Sequence, residues 1–171
     1  MFFRTTPSPR LSSRRAFLMV CATFGGFLPL ASTPLHAEGL DRVYQVQAMV
    51  TPTALVTKNP VSATALQTKV APNNRKNMTH VGVDQGDNAY KISAYTLRVR
   101  LKPNKDESND NGTLVYSLSA AIEHTVGSHT SSILPHTRGT IPLHNGNGQV
   151  TLPTNKYFSG TISINAIAAG F

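Results

Sequence analysis

The chain has 171 residues, a formal net charge of +8, 40% apolar and 7% aromatic residues, no tryptophan and one cysteine. That cysteine, Cys21, falls inside an N-terminal export signal, so the exported part has no disulfide, no thiolate nucleophile and no cysteine-based metal site. Much of the charge also belongs to that signal, which removes the case for nucleic-acid binding that a pI near 10.0 invites.

Residues 1–37 read as the signal. Arg4, Arg10, Arg14 and Arg15 form a basic start, Ala16 to about Leu30 is apolar, and Leu35-His36-Ala37 suits cleavage. The apolar run is broken by Gly25, Gly26 and Pro29, which argues against a membrane span. Ser13-Arg14-Arg15-Ala16-Phe17-Leu18 is similar to the twin-arginine export motif, and the sequence leaves that route and the general secretory route both open. Leu18-Met19-Val20-Cys21 is too bulky before the cysteine for a good lipoprotein box. Cleavage after Ala37 leaves 134 of the 171 residues, enough for one domain with a real core. Four of the sixteen basic residues leave and all eight acidic ones stay, so the net charge falls from +8 to +4.

Directly behind the signal, Val43–Pro52 alternates with period 2. Tyr44, Val46, Ala48 and Val50 share one side, and Gln45, Gln47 and Met49 the other, as in a strand with one buried face. A new N-terminus is usually loose unless something holds it, and an apolar strand at a free end can be offered to the sheet of another molecule.

Further along, the spacing predicts short strands at Val61–Gln67 and Met78–Val83, around a polar loop at Asn73–Asn77. Tyr90–Lys102 is the strongest interior strand. Tyr95, Leu97, Val99 and Leu101 face inward, while Thr96, Arg98, Arg100 and Lys102 face outward. Tyr90, Ile92 and Ala94 have the opposite parity, which predicts a bulge near Ala94-Tyr95. The basic stripe reads as a solvated sheet face, or as a patch for an acidic ligand or partner.

Pro103–Gly112 is a polar loop ending in the turn signal Asn111-Gly112. Thr113–Glu123 follows as a strand with Leu114, Tyr116, Leu118, Ala120 and Ile122 inward. Thr140–Leu143 and Gln149–Leu152 are read as two strands joined by a tight hairpin turn at His144–Gly148. Phe158–Ala168 closes the pattern, with Ile162, Ile164, Ala166 and Ala168 alternating against Thr161, Ser163, Asn165 and Ile167. No long stretch has the 3.6-residue period of a helix and no segment repeats, so the chain is expected to be an all-β sandwich or barrel.

Chemistry is sparse. There is no G-x-S-x-G, no H-E-x-x-H and no phosphate-binding glycine loop. His124, His129, His136 and His144 are spaced by five, seven and eight, share no face, and have no acidic residue among them; His80 lies apart. Asp84 and Glu123 are not singled out by spacing as a glycosidase pair. Asp84–Asn88 lacks the distal glutamate of a calcium loop and reads as a turn. No enzyme activity, cofactor or metal is expected.

Both ends of the exported chain resemble the major pilins of the alternate (alpha-class, colonisation-factor type) chaperone–usher fimbriae. Those begin with an alternating strand ending in Val-x-Pro, here Tyr44 to Val50-Thr51-Pro52, and end with an aromatic-Ser-Gly before a last strand, here Phe158-Ser159-Gly160 and onward. The explicit match covers about a fifth of the exported chain.

The resemblance implies an immunoglobulin-like β-sandwich that is incomplete and is completed by a donor strand. It divides the chain into a signal (1–37), a donor segment (38–52) and a sandwich domain (53–171). Tyr44, Val46, Ala48 and Val50 would fill the groove of the next subunit, and Ile162, Ile164, Ala166 and Ala168 would line the groove and meet the chaperone. The partners implied are identical subunits in a head-to-tail polymer, a periplasmic chaperone, an outer-membrane usher and a host receptor, with no nucleic acid. The protein would reach a cell-surface fimbrium via the periplasm and serve adhesion. A single domain of this length suits a shaft subunit better than a two-domain tip adhesin. The competing expectation is a self-contained secreted sandwich that binds a carbohydrate or surface ligand, with Val43–Val50 paired in its own sheet.

Overall fold

The structure, a computed structural model, describes residues 42–87, 89–106, 108–153 and 155–168. The expected signal and its expected cleavage site lie outside the described residues.

Period-2 alternation produces strands wherever one face can be buried. The described residues form nine strands: β1 (Arg42–Pro52), β2 (Thr64–Val70), β3 (Lys76–Gly86), β4 (Tyr90–Lys102), β5 (Thr113–Val126), β6 (His129–Ile133), β7 (His136–Pro142), β8 (Gly148–Thr151) and β9 (Phe158–Ala168). They form two sheets, ordered β2-β1-β9-β8 and β3-β4-β5-β6, with β7 continuing β6 along the same edge of β5. All pairings are antiparallel. The inward side chains of both sheets merge in one hydrophobic core, the all-β sandwich that the alternation predicts.

β4 and β5 begin where the sequence places them. Tyr95, Leu97, Val99 and Leu101 are buried against Leu114, Tyr116, Leu118, Ala120 and Ile122. The expected bulge is present: the β4–β5 register shifts between Ile92 and Ala94, and Ala94 and Tyr95 are both buried. The extra residue lets one strand bury two parities in succession.

Three expectations need correction. The first strand after segment 42–52 is Thr64–Val70, not Val61–Gln67. Its start is set by pairing, since Thr64 lies opposite Val50 just before Pro52 ends β1. The segment His129–Ile133, to which the sequence reading assigns no strand, is a strand although its side chains are almost all exposed. It forms because β5 runs on to Val126 and turns at Gly127 (φ 60°), which lays His129 opposite Val126.

The third correction concerns His144–Gly148. The turn is as tight as expected: His144 and Asn147 exchange two backbone hydrogen bonds around Asn145 (φ 53°) and Gly146 (φ 81°), the left-handed pair of a type I′ turn. Its flanks do not pair as a hairpin. β7 stays on β5 and β8 joins β9, so the turn carries the chain between sheets. The Leu143 amide bonds to the Gly112 carbonyl, and the Gly146 amide to that of Asp110, which ties this crossing to the 103–112 loop.

Candidate functional site: the slot between β2 and β9

β1 lies in the middle of its sheet. On one side Tyr44, Val46, Ala48 and Val50 face Val70, Thr68, Leu66 and Thr64 of β2. On the other they face Ala166, Ile164, Ile162 and Gly160 of β9, and the ladder extends from Arg42–Ala168 to Pro52–Phe158. β2 and β9 therefore stand two strand spacings apart, about 9.5 Å. All four expected groove-filling side chains are at most 1% exposed. Of the β9 set, Ile162 and Ile164 are fully buried, Ala166 is partly buried, and Ala168 joins the ladder through its backbone. The two residue sets singled out from opposite ends of the chain are thus direct cross-strand neighbours.

This arrangement changes one expectation. The sandwich is closed within a single chain, because the place expected for a neighbour's strand is filled by the chain's own β1. Segment 42–52 is part of the sandwich rather than a separate extension beside the 53–171 body. An apolar strand with no partner leaves both its side chains and its backbone groups unsatisfied, and its own slot is the nearest remedy.

Two features fit β1 to the slot. The first is the close approach of β9 at Gly160, where a Cβ would come within 2.1 Å of the Met49 carbonyl oxygen. Only glycine permits this spacing. Gly160→Ala is expected to push the strands apart and cost roughly 1–3 kcal/mol by overcrowding. A denaturant titration with an unchanged midpoint would sink this account.

The second is a latch at the entrance. Tyr44 Oη donates to Asp110 Oδ1 at 2.6 Å, and Arg42 Nη1 to Asp110 Oδ2 at 2.6 Å. The loop that carries Asp110 thereby holds the start of β1. Sequence reasoning missed Arg42 and Asp110, since a loop aspartate 66 positions from Tyr44 gives no spacing signal. At the far end Pro52 stops the strand, the Thr53 carbonyl accepts the amides of Val56 and Thr57 in a turn, and Val56 is buried as a plug. Residues 57–63 then cross to β2 without regular structure, exposed or half-buried throughout.

Burial pushes the Tyr44 phenol above its ordinary value, and the neighbouring Asp110 carboxylate raises it further. Burial alone raises Tyr95 and Tyr116. A raised acid pKa means the fold holds the proton more tightly than the unfolded chain. The associated stability is complete below about pH 10 and is lost as the pH climbs toward the folded values. These phenolates are expected to appear by ultraviolet absorbance only together with unfolding. Free titration near pH 10 with the β-sheet signal intact would contradict it.

The other groups weighed in the sequence are dispersed. His124 stacks on Tyr90 at 4.3 Å, His80 Nδ1 lies 2.9 Å from Thr96 Oγ1, His136 pairs opposite Ser119, and His144 sits in the interstrand turn. Asp87 accepts the amides of Ala89 and Tyr90, which hold its carboxyl below the usual range. Among the described residues, no three His, Cys, Asp or Glu converge in a metal-holding group.

No family model, no curated protein and no solved structure matches this chain.

Proposed function

We propose that this protein is a structural subunit of a surface fimbria, polymerising head to tail by exchange of β1 and serving adhesion. The supporting observation is the place of β1: a strand at the start of the exported chain that occupies the middle of a sheet. With cleavage after Ala37, only residues 38–41 precede it, and one tether joins it to the body. If β1 leaves, β2 and β9 frame an apolar slot whose register accepts the same strand from a second copy. The pairing and burial given up within one chain are recovered between two.

Residues 57–63 are the natural hinge, spanning up to about 23–25 Å when extended. Closed and exchanged forms then differ mainly in hinge conformation and in concentration, the general logic of strand swapping. The contact is heterologous and does not close on itself, so repetition gives a fibre. On this reading a periplasmic chaperone keeps β1 and the slot apart until an outer-membrane usher brings subunits together.

The test uses an engineered disulfide, which the cysteine-free exported chain makes unambiguous. Gln47 and Ser163 lie directly opposite on the outer face of the sheet, within disulfide reach for neighbouring strands. Oxidised polymers of Gln47→Cys/Ser163→Cys are expected to run as a covalent ladder on a denaturing gel. Monomer alone would mean that β1 stays in its own sheet, and would return the protein to a self-contained binding sandwich.

A further inference from the structure

We infer that the outer face of the second sheet binds a linear anionic polysaccharide carrying sulfate or carboxylate groups. The site lies on the sheet that does not contain β1, so it does not depend on strand exchange.

The register builds this face in rows. Met78, Arg98, Ser117 and Arg138 lie side by side across β3, β4, β5 and β7, and Lys76, Arg100, Val115 and Thr140 form the next row. Together they line a shallow depression of about 750 Å³. Arg98, Arg100, Arg138 and Lys76 are exposed. The ion pairs among the described residues are Arg42–Asp110 and Lys91–Asp84, and neither involves these four. The acidic residues within this sheet, Asp84 and Glu123, lie toward its other end, where Glu123 is opposite Lys91.

This pattern works against folding. Lys76 stands directly opposite Arg100, and like charges so placed are destabilising. An anion in the depression would convert that repulsion into attraction. Three guanidinium forks offer paired donors that match sulfate or carboxylate oxygens. Ser117 and Thr140 add hydroxyls between them, suited to sugar hydroxyls. None of the outward side chains in the two rows is aromatic, so the stacking platform of a single-stranded nucleic-acid site is missing. Aromatic anchors of a protein hot spot are missing too. The cations line a depression across four strands, which fits a narrow chain better than a membrane plane.

Sequence reasoning found Arg98, Arg100 and Lys102 but not Lys76 or Arg138, because those join the face only through the pairing of β3 and β7.

The experiment titrates the exported protein with heparin at a series of salt concentrations, beside duplex DNA and phosphatidylserine vesicles. Heparin is expected to bind most tightly. In Arg98→Ser/Arg100→Ser/Arg138→Ser, affinity should fall by about tenfold or more at low salt, and the log–log salt slope should shrink by about three. The melting temperature should hold or rise, since Arg100→Ser relieves the repulsion from Lys76. Unchanged affinity in that variant, absence of heparin binding, or tighter binding of DNA or vesicles would overturn the inference. If the triple variant does not fold, Arg138→Ser is compared with Lys58→Ser in the exposed linker. Weaker binding by Arg138→Ser supports the site, and equal affinities overturn it.

Discussion

A chain lacking residues 38–52 is expected not to fold alone, and to fold when a peptide spanning 42–52 is supplied. Removing β1 takes Tyr44, Val46, Ala48 and Val50 out of the core and strips the ladders of β2 and β9. Burial of a large apolar side chain contributes about 1.5–3 kcal/mol. With the lost backbone pairing, the deficit is on the order of 10 kcal/mol, as large as the whole stability of an ordinary domain. Circular dichroism melts with and without the peptide read this directly. Val46→Asp in the peptide should abolish rescue, because it places an unpaired charge in the core. Gln47→Asp should leave rescue intact, because that side chain points out of the slot. A cooperative melt of the truncated chain within a few degrees of the parent would refute the central role of β1.

Asp110→Ala should destabilise the protein by roughly 2–4 kcal/mol, through loss of a charge-assisted bond from the Tyr44 hydroxyl and an ion pair with Arg42. Most of the cost belongs to Tyr44, whose ring is buried. Arg42 is 40% exposed and its pairing is screened, so its share is well under half. For a domain of this size the melting temperature should drop on the order of 10 °C. Asp106→Ala is the control, since Asp106 is exposed in the same loop and, among the described residues, its hydrogen bond is made through its backbone amide. Tyr44→Phe should lose a smaller part, about 1 kcal/mol. Equal melting temperatures for Asp110→Ala and Asp106→Ala would show that the latch does not hold β1.

These effects arise from features with unequal visibility in the sequence. The inward sets of β1, β4, β5 and β9 can be read from spacing, because a pleated strand with one buried face imposes a local period of 2. The bulge near Ala94 was legible for the same reason, as a parity change inside one apolar run. β6 was invisible, since HTSSI buries almost nothing and forms by lying along an overhanging edge of β5. The loop 103–112 looked like a surface connection, and its polar composition hid Asp110, the carboxylate that bonds Arg42 and Tyr44 at the start of β1.

The alternation in 42–52 determined by itself that this segment is a strand with one buried face, and the absence of a helical period determined an all-β domain. Only the tertiary structure decided that this strand lies between β2 and β9 of its own chain, that β7 and β8 part to different sheets, and that Arg138 joins Arg98 and Arg100 on one face. Alternation is a local property, fixed by which residues each segment must hide. Neighbour choice is a contest among long-range pairings, settled by the combined burial and backbone bonding of strands more than a hundred residues apart.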